Sequence, residues 1–464
     1  MSSFKYNTAI IGDLHLSDAE PVHPKKPYWK NFKQARHFID DSFAKFLKHL
    51  EEQSELPVEL ILNGDIFDYD SVMSLPEGDM YEELTHMEKK IGVDAHEDKS
   101  LFKTKVILDQ HYIFVQALRD FISNGNKVVF IIGNHDIELY WPSTQSEIRK
   151  RLLDSGQNSE NLVFCEWYYL SEKDTLIEHG HQYDPYCLCL DPVNPLIRKK
   201  KEYKIRLPFG NLANRFIMNR FGLKNPHHDE SFVKTGIEFV KFFLKYEIKI
   251  QPFLVFDWLF GALRTLRRSL EEGFTPASKD PLTHQKKIEE IAEKANSKPA
   301  AAISLLELHA HPAVHNPFKI IRELWLDRFF FMVMLMWMSW QIFTTHSLFA
   351  SVSLWWFTVP LFLSLIILGY YAQGIKSEVH QNLNAGQQKV PIAAKLVNVN
   401  RVVHGHTHIP IDKTIEGVHF LNPGSWSPYF DDIKCTQNRQ SKRYIWIEDE
   451  GGKRNAQIEM WEKA

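Results

Sequence analysis

Five short motifs, each close behind an apolar run, constrain this chain more than any other feature. They are Gly12-Asp13-Leu14-His15, Gly64-Asp65, Gly133-Asn134-His135-Asp136, His179-Gly180-His181 and Gly405-His406-Thr407-His408. The first three follow the strand-like stretches Thr8–Ile11, Val58–Asn63 and Lys127–Ile132. Between them, Phe38, Ile39, Phe43, Phe46, Leu47 and Leu50 repeat at helical spacing, as do Ile113, Phe114, Ala117, Leu118, Phe121 and Ile122. Later runs read as strands at Leu162–Tyr169, Thr175–Glu178, Arg401–Val403, Val418–Leu421, Arg443–Ile447 and Ile458–Trp461. Strands with helices early and strands mainly late predict an α/β fold of two packed sheets covered by helices. Motif residues would then leave neighbouring strand ends at one edge, where loops can gather ligands.

The residue types at those loops suit metal chemistry. Mixed Asp, Asn and His ligation fits a first-row metal better than magnesium or thiolate-bound zinc. Two cations about 3.5–4 Å apart can share a carboxylate, activate water and neutralise charge on a phosphoryl oxygen. A lone Gly-Asp or Gly-Asn-His-Asp is more often a turn with local hydrogen bonds. The ordered set has no comparable bland account. His181 and His404 each stand beside a candidate ligand and are expected behind it. His86, His96, His309, His311 and His315 lack supporting spacing and read as surface or packing residues. Cys187 and Cys189 are too closely spaced for a zinc knuckle.

Composition bounds the rest. A formal charge of -3 over 464 residues gives no overall pull toward a polyanion. Four cysteines make no disulfide framework at this length, which favours a reducing compartment. Asn7 to Gly12 already reads as a strand, so no signal peptide is expected and the catalytic part is placed in the cytoplasm.

More than two hundred residues separate His179 from His406, and most of them read as an insertion. Between Arg198 and Arg268 sixteen Lys and Arg stand against six Asp and Glu, interleaved with aromatic residues. That pattern fits an amphipathic segment on an anionic leaflet, with a solvated helical cap as the alternative. Pro281 to Pro317 reads as a polar helical linker. From Phe329 to Ile375 there is no charged residue. Leu348 to Ala372 would span about 37 Å as a helix, and Phe329 to Phe343 roughly 23–25 Å, against a bilayer core of about 30 Å. A membrane hairpin over 329–372 is therefore expected, either spanning or re-entrant, with its charged flanks on the cytoplasmic side; two buried helices of a large soluble core are the alternative. The adjoining hairpin makes lipid a better partner for the basic segment than nucleic acid.

Taken together, the motifs resemble the calcineurin-like metallophosphoesterases, over roughly residues 7–185 and 395–464. The resemblance implies a four-layer α-β-β-α sandwich and two divalent ions, manganese first, with iron or zinc as alternatives. It implies Asp13, His15 and His408 at one metal, Asn134, His179 and His406 at the other, and Asp65 bridging both. It makes His135 the group that contacts the phosphate and serves the leaving group, oriented by Asp68, and it matches Asn422-Pro423-Gly424-Ser425 to a closing turn. Within that family the chain is similar to UDP-2,3-diacylglucosamine pyrophosphohydrolases, through Gly64-Asp65-Ile66-Phe67-Asp68, His179-Gly180 and Pro410 after the last motif. It departs from them in having His135 where they usually carry Arg, and in its longer insertion. The expected layout is 1–190 and 395–464 as the two parts of the phosphoesterase domain, with 191–394 as the insertion between them.

The functional expectation is a phosphodiester or pyrophosphate hydrolase acting on a lipid-linked substrate at the cytoplasmic membrane face. The alternatives are a tethered phosphoesterase of soluble nucleotides or phosphoproteins, and a non-catalytic membrane scaffold.

Overall fold

The computed structural model describes residues 5–154, 159–199, 202–223, 225, 241, 243–278, 281–374, 378, 385–439 and 441–463. Lys200, Lys201, Lys224 and Lys234 of the basic segment lie outside these residues.

Strands β1 (Asn7–Ile11), β2 (Val58–Asn63), β3 (Lys127–Ile131) and β4 (Leu162–Cys165) form on short apolar runs that include β-branched or aromatic residues. They pair in parallel, which is why they are buried on both faces. The late strands β12 (Lys442–Asp449) and β13 (Arg454–Glu462) add antiparallel beside β1, giving the order β13-β12-β1-β2-β3-β4. A second sheet has the order β10-β11-β9-β6-β5. Its members are β5 (Tyr168–Ser171), β6 (Thr175–Glu178), β9 (Arg401–Val403), β10 (Ile411–Ile415) and β11 (Val418–Asn422). A separate hairpin joins β7 (Leu196–Lys199) to β8 (Glu202–Ile205). The two large sheets face each other across Ile10, Ile61, Val129, Ile177, Val403 and Ile445.

Helices cover both outer faces. On the first sheet, α1 (Asp40–Gln53) buries Phe43, Phe46, Leu47 and Leu50 at the predicted spacing. With it pack α2 (Glu97–Gln110), α3 (Tyr112–Ser123) and α4 (Pro142–Leu152). On the second sheet the cover comes from within 191–394. Ile288 and Ile291, Ala302 and Leu305, and Val390, Ala393 and Ala394 pack on Leu176, Val402 and Phe420. The first two pairs belong to the stretch expected to be a polar linker. The helix over Pro281–Lys294 turns Lys286, Glu289, Glu290 and Glu293 outward and keeps a narrow apolar stripe that a sheet face can bury, while the short helix over Pro299–Leu306 is itself mostly apolar.

Three further helices pack together through Phe209, Ala262 and Leu326: α5 (Phe209–Phe216), α6 (Leu254–Phe274) and the first arm of the hairpin, α9 (Leu326–Ser347). Between α6 and α9 run the sheet-covering helices α7 (Pro281–Lys294) and α8 (Pro299–Leu306). The second arm is α10 (Trp355–Gly374), and α11 (Ala385–Val397) returns the chain to β9. The arms run antiparallel, with Phe331 against Tyr371, Trp340 against Phe357 and His346 against Trp356.

The expectation of a spanning hairpin is corrected: among the described residues, no helix is long and apolar enough to cross a membrane. The apolar part of α9, Phe329 to Phe343, rises only roughly 23 Å before Thr344-Thr345-His346-Ser347. The second run becomes helical only from Trp355, so Leu348 to Leu354 adds nothing to its length, and Pro360 interrupts its interior.

Candidate metal centre

All five motifs leave the C-terminal ends of parallel strands: β1, β2 and β3 in one sheet, β6 and β9 in the other. Backbone hydrogen bonds lock the loops together. Asp13 N–H donates to Gly64 O (3.0 Å), His15 N–H to Asp65 O (2.9 Å) and Gly405 N–H to His179 O (2.8 Å). The closing turn also holds the first motif, since Ser425 Oγ–H and the N–H groups of Trp426 and Ser427 all donate to Asp13 O. Asp136, assigned no role from sequence, ties two loops by accepting from Gly133 N–H and Ile66 N–H.

Five of the predicted ligands occupy the left-handed backbone region: Asp13 (φ 54°), His15 (φ 53°), Asp65 (φ 50°), His406 (φ 64°) and His408 (φ 57°). Each such residue costs of order 1–3 kcal/mol and persists only where its surroundings enforce it.

Two ligand groups result. Asp13, His15 and His408 bring donor atoms within 4.8 Å of one another, as do Asp65, His179 and His406. In the first, His408 Nε2 is 3.1 Å from Asp13 Oδ1 and 3.2 Å from His15 Nε2. Asp65 Oδ2 lies between the groups, 3.2 Å from His179 Nε2 and 4.0 Å from His15 Nε2. Its other oxygen accepts from His135 N–H (2.8 Å), which fixes the carboxylate.

Side-chain atoms around the second group are aimed and left without partners. His179 Nδ1–H donates to Asn63 O (2.8 Å), so Nε2 presents a lone pair. His406 Nε2–H donates to Asp184 Oδ2 (3.2 Å), so Nδ1 presents one. His179 Nε2, His406 Nδ1 and Asn134 Oδ1 are all buried without a hydrogen bond, although His179 Nε2 sits close to Asp65. Buried acceptors in this state are costly unless a cation sits among them, so these residues fit a divalent metal. Burial opposes ionisation of Asp65, yet His179, His135 and His15 hold its carboxyl well below the usual range.

His135 stands beside the first group, its ring 5.0 Å from that of His15. Its Nδ1 is 3.2 Å from Asp68 Oδ1, the partner expected from sequence, and 3.5 Å from Asp70 Oδ2, which was not foreseen. Burial acts to lower its basicity, but Asp65, Asp68 and Asp70 outweigh it and hold the imidazole up at about 10. His15, Asp68 and His135 also converge within 4.8 Å, as do Asp184, Cys187 and His406.

His181 and His404 fall behind the predicted ligands. The His181 ring is 5.4 Å from that of His179, and burial with the neighbouring His179 and His406 pushes it well below the usual range. His404 Nε2 is 3.3 Å from Glu178 Oε2.

Sequence reasoning missed the support supplied by α5. Asn211 Nδ2–H donates to Asn134 O (2.7 Å) and to Asp70, while Arg215 donates to Val93 O (2.6 Å) with Asp70 at 3.9 Å. Asp70 and Asp184 could have been suspected as acids close behind motifs. Asn211 and Arg215 carry no local signal, because their partners are distant in sequence.

Residues 6–218 match the family model described as calcineurin-like phosphoesterase. The match reaches α5, beyond the first part of the domain expected from sequence. No curated protein matches the chain. Among solved structures, a single mutant and a double mutant of Vps29 from Entamoeba histolytica are each similar at 20% identity, with a TM-score of 0.12. The overlap covers 16% of this chain and 46% of theirs, so the chain spans about half the length of that protein. With two convergent ligand groups at the strand ends, the chain carries a calcineurin-like phosphoesterase domain, a metal-dependent hydrolase domain, over residues 6–218.

Proposed function

We propose that the chain hydrolyses a phosphodiester or pyrophosphate bond of a lipid-linked substrate at the cytoplasmic face of a membrane, using two divalent cations. Asp13, His15 and His408 would hold one cation, Asn134, His179 and His406 the other, with Asp65 shared. The cations supply electrophilic stabilisation of the phosphoryl group and activation of water. His135, its Nδ1 3.2 Å from Asp68 and 3.5 Å from Asp70, is placed to hydrogen-bond a phosphoryl oxygen and give a proton to the departing oxygen.

One observation supports the lipid half of this reading. The α9–α10 hairpin exposes many large apolar side chains, including Trp337 (61%), Phe362 (65%) and Ile367 (59%), the kind of clustered exposure that marks an interaction or membrane surface. Its root, Leu324 and Leu326, packs in one cluster with Tyr186 and with Phe209 of α5, the helix that touches Asn134. A hairpin dipping into one leaflet would hold the centre near the headgroups, while acyl chains stay in the bilayer at roughly 0.8 kcal/mol per CH₂.

To test this, residues 329–372 are replaced by a short Gly-Ser link, a feasible closure because Phe331 and Tyr371 are in contact. Rates are then compared on a soluble nucleotide diester and on a lipid-linked diester in vesicles. Selective loss on the vesicle substrate is expected; equal retention on both favours the tethered phosphoesterase of soluble substrates. A variant chain and parent that both ignore vesicles would remove the membrane half altogether.

A further inference from the structure

A cleft opens beside the first ligand group, bordered by His15 and Asp68. One of its walls is apolar, formed by Phe32, Phe38, Ile39 and Met218. Its polar lining is mostly committed elsewhere. Lys33 Nζ is bound by Asp18 and Ser71 O, and His111 Nε2–H donates to Ser17 O (2.9 Å) while its Nδ1 lies 2.8 Å from Asp40 Oδ2.

Lys30 is different. It is only 5% exposed, yet its one carboxylate neighbour within 4 Å among the described residues is Glu20, at 3.9 Å, beyond hydrogen-bond reach. Glu20 is itself engaged, accepting from His23 (2.8 Å) and from Trp29 Nε1–H (3.1 Å). Burying a lysine without a hydrogen-bonded carboxylate is costly, and Glu20, Asp18 and Asp68 offset only part of that cost. Burial first, and Lys33 second, push its basicity down to about 8, which leaves it largely charged at neutral pH.

The backbone there is also held by force. Lys30 has φ 41°, ψ 40°, and its N–H donates to Gly222 O on the insertion side. Gly222 is seated against Trp29 so closely that a Cβ would lie 2.1 Å from the indole ring. Gln251 Oε1 accepts from Gly222 N–H (3.1 Å) and completes the clamp. Strain maintained by a dedicated contact, around a buried and under-compensated cation beside a reaction centre, marks a residue kept for a ligand.

We propose that Lys30 is a specificity-determining residue that receives an anionic substituent of the substrate lying outside the scissile phosphoryl group, with the apolar wall taking the adjoining hydrocarbon. This rests on the phosphohydrolase reading above and narrows its substrates to amphiphilic phosphoesters with a second negative charge.

The test compares bis(4-nitrophenyl) phosphate with analogues in which one ring carries a carboxylate or a phosphate monoester. The quantity read is the ratio of kcat/KM for each analogue to that for the parent diester. In Lys30→Met the ratio should fall about tenfold or more, the scale of one lost charge-assisted hydrogen bond, and in Lys30→Arg it should largely return. The two analogue arms separate carboxylate from phosphoryl recognition. Ratios within about twofold of the parent chain's in every variant would overturn the proposal. If Lys30→Met does not fold, Lys30→Gln carries the same comparison. Calorimetric titration of the metal-free chain with the carboxylated nitrophenol gives a reading without turnover. Lys30-dependent binding with no hydrolysis of any diester would sink the phosphohydrolase reading alone; metal-dependent hydrolysis with Lys30-independent ratios and binding would sink this inference alone.

Discussion

Replacing Gly64 with alanine should damage the metal centre through a single methyl group. Gly64 has φ +75°, and a Cβ there would lie 2.3 Å from Nδ1 and 2.4 Å from Cγ of His179. Ordinary contact requires about 3.4 Å or more, so the ring or the loop must move by roughly 1 Å. The bond most exposed to that shift is His179 Nδ1–H to Asn63 O, now 2.8 Å, which fixes the tautomer presenting Nε2. The left-handed alanine costs about 1–2 kcal/mol and the broken buried hydrogen bond about 1–3 kcal/mol, so stability should fall by about 2–5 kcal/mol. Loss of the orienting partner should weaken metal binding roughly 10- to 100-fold. Gly125→Ala is the control, because Gly125 also has positive φ (+92°) but a Cβ there meets nothing within 4 Å. Calorimetric titration with Mn²⁺, metal-dependence of diester hydrolysis and thermal unfolding of both variants separate the two costs. A Gly64→Ala chain that binds metal like Gly125→Ala would refute the steric argument and with it the assignment of His179 Nε2 as a ligand atom.

Three other outcomes follow from the same geometry. Asp65→Asn should abolish metal-dependent hydrolysis, since Asp65 Oδ2 is the oxygen placed between the two groups; full activity would overturn the shared-ligand assignment. His135→Ala should lower kcat by roughly 10²- to 10⁴-fold while metal content by elemental analysis stays unchanged; loss of a metal equivalent would instead favour the His15, Asp68 and His135 group as a site. Lys103→Met should destabilise by about 3–5 kcal/mol in denaturant titration, because it strands the buried Glu138 just after the third motif. Removing both charges, as Lys103→Met with Glu138→Leu, should recover much of that loss, and equal stability of the single and double variants would count against the ion-pair argument.

Much of this protein could be read along the chain. The strands at Val58–Asn63, Thr175–Glu178 and Arg401–Val403 and the buried stripe of α1 appear where apolar periodicity placed them, because a buried strand or helix face imposes its own repeat. Asp13, His15, Asp65, Asn134, His179, His406 and His408 stand in loops just after β1, β2, β3, β6 and β9, so local order was enough to group them. The hairpin was legible as two apolar helices but not as helices of a given length, since where α9 and α10 begin and end depends on capping and packing at both ends.

What the order of residues determined by itself was therefore the α/β class, the strands and the candidate ligands, all consequences of short-range periodicity and motif spacing. Tertiary structure alone decided that helices from within 191–394 cover the second sheet, that Asp184 turns His406 Nδ1 toward its neighbours, and that Asn211 braces Asn134. It also decided that Lys30 is buried beside the centre against Gly222. Each of those facts is a contact between distant segments, formed because burying apolar surface brings them together, and no local pattern encodes which partner arrives.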